Sequence, residues 1–238
     1  MEVPGTPSPC VSVIMPVFNE APTVEQVVRK VLAQPSVAQL VVVDDASTDG
    51  SEEILERLAT EFPRLLLVRQ AVNAGKGAAV RKGFTEANQD ILLIQDADLE
   101  YDPEEYSRIL QPLLAGRADA VFGSRFVGSE AHRVLYNWHS IANGFLTQLS
   151  NMVTNLNLTD MECCFKAFRR SVIDRVELVE DRFGIEPELT IKIARLKVRV
   201  YEVSVSYCGR TYAEGKKIGW KDGVRALYAI AKYGLFKA

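Results

Sequence analysis

The chain reads as an α/β fold, a mostly parallel sheet with helices on both faces, and three observations lead there. Short apolar runs of strand length recur at residues 10–17, 40–43, 65–68, 91–94 and 118–122. Stretches with apolar residues at helical spacing separate them, as in Val24, Val27, Val28 and Val31. The composition, 47% apolar and 25% charged over 238 residues, is that of an ordinary globular protein with enough chain for a sizeable core. Strands alternating with helices in this way imply βαβ units, right-handed crossovers and a sheet covered on both sides.

Residues 10–17 are rich in β-branched side chains and form the first strand, which the chain leaves through Pro16, Val17, Phe18, Asn19 and Glu20. A helix over 23–32 follows. The second strand, 40–43, runs into Asp44, Asp45, Ala46, Ser47, Thr48, Asp49 and Gly50, and Ile54, Leu55 and Leu58 mark the next helix. After a third strand over 65–68 come the loop Asn73, Ala74, Gly75, Lys76, Gly77 and a helix over 77–87. The fourth strand, 91–94, ends in Gln95, Asp96, Ala97, Asp98, Leu99 and Glu100, and Pro103 opens a helix over 104–114. A fifth strand over 118–122 is closed by Gly123, Ser124, Arg125 and Phe126.

Beyond residue 126 the pattern changes. A helix over 139–155 carries Ile141, Phe145 and Leu149 on one face, and 160–168 reads as a strand bordering a pocket. The helix over 184–196 has Glu186 and Glu188 in its first turn, where carboxylates suit the helix dipole. A strand over 198–207 follows. The last helix, 220–236, sets Val224, Leu227, Tyr228, Ala231 and Leu235 on one side and Lys221, Arg225 and Lys232 on another. It reads either as a helix packed on its own domain or, as a basic amphipathic helix, as a contact with anionic lipid. No linker or repeat interrupts the chain, so 10–238 is expected to be one domain behind a disordered tail of residues 1–9.

Net charge is −3, and nothing overall suggests a nucleic-acid partner. Its distribution is uneven: residues 40–105 hold 6 Lys/Arg against 15 Asp/Glu, whereas 195–238 hold 10 against 3. Cys10, Cys163, Cys164 and Cys208 form no C-x-x-C pattern and are expected to be reduced, mostly buried thiols of a cytoplasmic protein. No signal peptide opens the chain, and no apolar run reaches the ~18 residues of a membrane span, so a soluble or peripheral protein is expected. Neither His132 nor His139 belongs to a cluster with metal-ligand spacing.

In parallel sheets ligands sit beyond the carboxyl ends of the strands. Three polar loops converge on that edge: 16–20, 44–49 and 96–100. Asp96 and Asp98, spaced i, i+2 at a strand end, repel each other unless a positive group lies between them, and a hard divalent cation completed by substrate phosphates is one answer. An isolated Asp-x-Asp is also compatible with a solvated turn capping a helix. A Rossmann dinucleotide site is not indicated, because the first strand–helix turn contains no Gly. Gly75, Lys76 and Gly77 are no P-loop either, since Ala78 stands where Ser or Thr would hold Mg2+. Lys76 lies near a phosphate or base, or on a solvated turn. The loop from Arg210 to Lys217 offers Arg and Lys to phosphate, or is a solvated basic turn.

In order and spacing these loops, with Arg125, Asp160, the stretch 165–169, Arg210 and Lys216, resemble family 2 glycosyltransferases of the dolichyl-phosphate mannose synthase and polyprenyl-phosphate hexosyltransferase branch. The resemblance covers residues 10–223. It implies a GT-A-type fold, with a nucleotide-sugar half over about 10–125 and a β/α acceptor half over about 126–238. It further implies inverting, metal-dependent transfer of mannose or glucose from GDP-mannose or UDP-glucose to a polyprenyl or dolichyl phosphate at the cytoplasmic membrane face. By position, Pro16, Phe18, Glu20, Val43 and Asp45 would hold the nucleoside, with Lys76 nearby, and Asp96, Ala97 and Asp98 would border the diphosphate. Asp98, Glu100 and Asp96 would hold Mg2+ or Mn2+, and Asp98, Arg125, Arg210 and Lys216 would carry the transfer, the cations receiving donor and acceptor phosphates. The chain departs from the mannose synthases at Glu162, Cys163 and Cys164, where that branch often has a small, Gly-containing segment. It also lacks the membrane helices that some members append. A sugar hydroxyl as acceptor would require a base, with Glu162 or Asp160 available. A nucleotide-sugar-binding protein without turnover is a further alternative.

Overall fold

The computed structural model describes residues 9–128, 133, 134, 136–211 and 219–236. Five strands, β1 (Val11–Val17), β2 (Val37–Asp44), β3 (Leu65–Arg69), β4 (Ile91–Ile94) and β5 (Ala120–Ser124), are linked by α1 (Val24–Ala33), α2 (Ser51–Glu61), α3 (Lys76–Glu86) and α4 (Tyr106–Leu114). The remainder supplies α5 (Asn137–Thr154), β6 (Lys166–Arg169), a short α6 (Arg170–Ile173), α7 (Ile185–Arg195), β7 (Val200–Ser204) and α8 (Trp220–Leu235). The seven strands form one sheet in the order β3-β2-β1-β4-β6-β5-β7. All pairs are parallel except those of β6, which runs antiparallel to both β4 and β5.

That single reversal matters for the site. Lys166, the first residue of β6, pairs with Ile94 and with Phe122. The chain entering β6 therefore lies at the same edge where β1, β2, β4 and β5 end, and residues 160–165 join the loops already expected there. Residues 160–165 do not continue the strand. Their polar groups are taken by side chains instead: Lys166 donates to the Met161 carbonyl at 3.0 Å and to that of Cys163, and Arg125 grips Asp160.

Alternation along β1 sends Val11, Val13, Met15 and Val17 into a core shared with α1, α2 and α4, while Ile14 faces a second core with α3 and α7. A third, smaller cluster joins Leu146 of α5, Ile191 of α7 and Ala226, Ala229, Ile230 and Tyr233 of α8. Glycine is required at the start of α3. A Cβ on Gly77 would lie 2.2 Å from the Glu180 carbonyl, and Gly75 has φ +97° with the Asp181 carbonyl 2.5 Å from its ideal Cβ. This close approach brings Lys76 against the segment that leads into α7.

The final helix packs on its own domain, through a face other than the expected one. Buried Glu180 accepts from Arg225 Nε at 2.9 Å, Tyr233 Oη at 2.9 Å and Lys232 Nζ at 3.3 Å, which ties two of the expected basic residues to their own domain. Val224, Leu227, Tyr228, Ala231 and Leu235 are left exposed. Cys163 and Cys164 are buried as expected, whereas Cys208 is exposed. Among the described residues no helix is long and apolar enough to cross a membrane.

Candidate active site

The register of the sheet assembles the site edge. Pro16 pairs with Val43, and Ile14 with Ile94, so the loops after β1, β2 and β4 start side by side. Each contains a non-glycine residue in the left-handed region: Asn19 (φ 53°), Ala46 (φ 59°) and Leu99 (φ 57°). At Leu99 the consequence is direct. Its side chain packs on the core while its neighbours Asp98 and Glu100 both line a cavity of about 610 Å³. Backbone strain of this kind concentrates where the surroundings impose it. The Asp45 carboxylate orders the next loop, accepting from the amides of Ala74 and Gly75 at 2.7 Å each.

Four carboxylates crowd the mouth, and Arg210 stands between three of them. Its guanidinium reaches Asp98 Oδ2 at 2.6 Å and Glu20 at 3.1 and 3.3 Å, and its Nε lies 3.5 Å from Glu100 Oε1. Glu100 is held in turn by the Tyr207 hydroxyl at 3.1 Å and the Arg210 amide at 2.8 Å. Even so, burial together with Asp96 and Glu100 pushes the Asp98 carboxyl up to about 7, and Arg210 relieves this only in part. Among the described residues the edge is therefore short of positive charge. Hard oxygen donors with an excess of negative charge suit Mg2+ or Mn2+, with substrate phosphates completing the shell. Among the described residues no three His, Cys, Asp or Glu groups are preassembled as a metal cage. Asp98, Glu100 and Asp96 fit a cation held partly by its ligand, with Arg210 as the counter-ion of the free protein.

A second acid–base set runs along the wall behind Asp96. Lys76 Nζ lies 2.6 Å from Asp96 Oδ1, donates to Cys164 Sγ at 2.8 Å and is 4.0 Å from Glu186 Oε1. Burial opposes the charge on Asp96, but Lys76 outweighs it and holds that carboxyl below the usual carboxylate range. Glu186 also takes the ammonium of Lys166, which is fully buried. Glu162 lines the same wall. Burial and then Glu186 push its carboxyl up to about 7, with Lys166 and Arg125 acting the other way.

Arg125 lines the cavity but is already engaged: Nε and Nη2 meet the two oxygens of Asp160 at 2.6 and 2.8 Å, and Tyr207 stacks under it with 5.0 Å from Cζ to the ring centroid. Pro16, Phe18, Glu20, Asp45, Lys76, Asp96, Ala97, Asp98, Glu100, Arg125 and Arg210 all border this one cavity. Val43 does not. It is fully buried in the core beneath α3, because its neighbour Asp44, not Val43, is the last residue of β2. Lys216 lies outside the described residues, as does His132. His139, Asn143, Glu162, Cys164 and Glu186 also line the cavity. Of these, Glu186 had a visible local signal that pointed elsewhere, to the helix dipole.

The cavity is also lined by Ala142 and Leu146 of α5 and by Gly223 and Ala226 of α8. The outer surface there is apolar and exposed: Trp138 and Trp220 are each 78% exposed, and Ile141, Phe145, Val224 and Leu227 accompany them.

Comparison with known proteins identifies the family and the fold. The family model described as Glycosyl transferase family 2 matches residues 12–177. An undecaprenyl-phosphate mannosyltransferase of Micrococcus luteus is 27% identical over 234 residues, covering 93% of both chains. A dolichol-phosphate mannosyltransferase of Pyrococcus furiosus is 29% identical over 229 residues, covering 94% of this chain and 64% of that one. The glucosyl-3-phosphoglycerate synthase of Mycobacterium tuberculosis, solved with Mn2+, UDP and glucosyl-3-phosphoglycerate, superposes with a TM-score of 0.74 at 20% identity, covering 95% of this chain and 80% of that one.

Proposed function

The chain belongs to glycosyl transferase family 2, a glycosyltransferase of GT-A fold, and on that premise we propose that it moves a hexose, mannose or glucose, from a nucleoside diphosphate sugar to a polyprenyl phosphate. The transfer inverts the anomeric centre and uses Mg2+ or Mn2+. The supporting observation is one continuous cavity. It joins a carboxylate-rich strand edge, suited to a cation and a diphosphate, to an exposed apolar surface formed by α5 and α8, suited to a lipid. Several curated relatives are named for polyprenyl-phosphate acceptors.

Each residue has a chemical task in this reading. Pro16 and Phe18 border the nucleoside, and Asp45 orders residues 74–75 beside it. Asp98, Glu100 and Asp96 would hold the cation, which would supply charge neutralisation to the leaving diphosphate. Lys76 keeps Asp96 ionised, and Arg210, which a cation at Asp98 would release from Asp98 and Glu20, would be free to meet a phosphate oxygen. Arg125, oriented by Asp160 and Tyr207, presents its remaining edge to the acceptor phosphate, and Lys216 adds a further cation. A phosphate monoester is anionic near neutral pH and attacks the anomeric carbon without a general base. The exposed apolar face of α5 and α8 would rest on the cytoplasmic surface of the membrane, where such an acceptor is embedded.

The test is turnover. Purified protein with Mn2+, short-chain polyprenyl phosphate and each of GDP-mannose, UDP-glucose and UDP-N-acetylglucosamine should form a lipid-linked sugar with one donor, and Asp98→Ala should abolish it while leaving the melting temperature within a few degrees. Full activity of Asp98→Ala would remove the proposal, and turnover with saccharide acceptors alone would replace the phosphate acceptor with a hydroxyl.

A further inference from the structure

The wall behind Asp96 holds two carboxylates that the transfer chemistry above does not use, and they differ in one respect. Glu186 is neutralised by Lys166, whereas Glu162 Oε1 is shielded from solvent and, among the described residues, has no hydrogen-bond partner. A buried acceptor without a donor is unfavourable, and where it borders a cavity it marks a place for a ligand that brings the donor. Among the described residues, the cations on this wall are committed elsewhere. Lys166 donates to Met161 O, Cys163 O and Glu186, Lys76 to Asp96 and Cys164, and Arg125 to Asp160.

We propose that Glu162 is a specificity-determining residue that reads the donor sugar, its carboxylate accepting hydrogen bonds from hydroxyls of the hexose ring. This rests on the nucleotide-sugar reading above. A diphosphate held at Asp96 and Asp98 leaves its hexose one bond further on, and the wall next to Asp96 continues through Lys76 and Cys164 to Glu162. The unpaired carboxylate on that wall disfavours the anionic acceptor phosphate, which Arg125 and Arg210 favour elsewhere, but it admits a polyhydroxyl group. A carboxylate is acceptor-only, with room for two donors, so it rewards a pair of hydroxyls and penalises their loss. The departure at residues 162–164 thus falls on the part of the cavity where a sugar is told from its epimers.

Calorimetric titration with Mn2+ present tests this, using GDP, UDP, GDP-mannose, UDP-glucose and UDP-N-acetylglucosamine against the wild type, Glu162→Ala and Glu162→Gln. Both variants should bind the matching nucleoside diphosphate as the wild type does and lose roughly 10- to 100-fold in affinity for its sugar conjugate, the range of a hydrogen bond to a charged group. Unchanged affinity for the sugar conjugate would overturn the proposal, and so would an equal loss for diphosphate and conjugate, which a purely structural role predicts. A wild type that binds none of these ligands would instead overturn the nucleotide-sugar reading on which it stands.

Discussion

Replacing Glu162 by Gln should stabilise the free protein on the alkaline side of neutrality and leave it near parity in acid. The ordinary value of this carboxyl, 4.5, applies to the unfolded chain, and in the fold it is pushed up to about 7 by burial and by Glu186. Between those values the native state keeps a proton that the unfolded state has released. Stability is therefore full below the unfolded value, declines as pH rises through the folded one, and stays low above it. At about 1.4 kcal/mol per pKa unit the decline reaches up to about 3 kcal/mol. Gln has nearly the same shape and no charge to bury, so the variant escapes that decline. Urea denaturation of both proteins at about pH 4 and about pH 8 measures it: the gap should be within about 0.5 kcal/mol at the lower pH and open to roughly 2–3 kcal/mol at the higher. A gap that does not change with pH would mean that Glu162 is solvated or paired, and would refute the reasoning.

Lys166→Met should destabilise the fold by about 3–5 kcal/mol in the same assay, because it strands the buried Glu186 carboxylate, and adding Glu186→Gln should recover part of the loss. Arg210→Ala removes the counter-ion between Glu20, Asp98 and Glu100. Unit charges about 4 Å apart interact by roughly 4 kcal/mol in a partly buried setting, so Mn2+ should bind the nucleotide-free variant at least about tenfold tighter by titration at about pH 8, although turnover falls; equal Mn2+ affinity would count against the counter-ion role. Trp138→Ser combined with Leu227→Ser should lower co-sedimentation with anionic vesicles by at least about tenfold. Melting should be unchanged, since both side chains are exposed, and undiminished sedimentation would place the membrane contact on another surface.

The first five strands and the three site loops could be read from local pattern alone, since short apolar runs and helical spacing involve only near neighbours. Asp96, Asp98 and Glu100 follow directly from where β4 stops. What escaped the sequence depends on distant pairs. The antiparallel entry of β6 between β4 and β5 is set by pairing partners over 40 residues away, and it is this that carries Cys164 to the site beside Glu162, which the sequence already places at the pocket's border. Glu186 looks like any carboxylate in a first helical turn until Lys166 is found buried against it. Arg225 and Lys232 look like an unpaired basic stripe, and only Glu180, 45 and 52 residues away, ties them to the domain while the apolar flank of α8 stays outside. Val43 shows the limit of transfer by position: one residue short of the strand end, its side chain belongs to the core.

The central claim is that the acids closing β4 grip a cation together with a nucleoside diphosphate, displacing Arg210. A crystal structure of the protein with donor and Mn2+, with the anomalous signal of manganese recorded, tests it most directly. The predicted result is a manganese peak between Asp98 and the diphosphate with Arg210 withdrawn from Asp98; manganese and nucleotide bound away from this edge, with the Arg210–Asp98 contact intact, would contradict it.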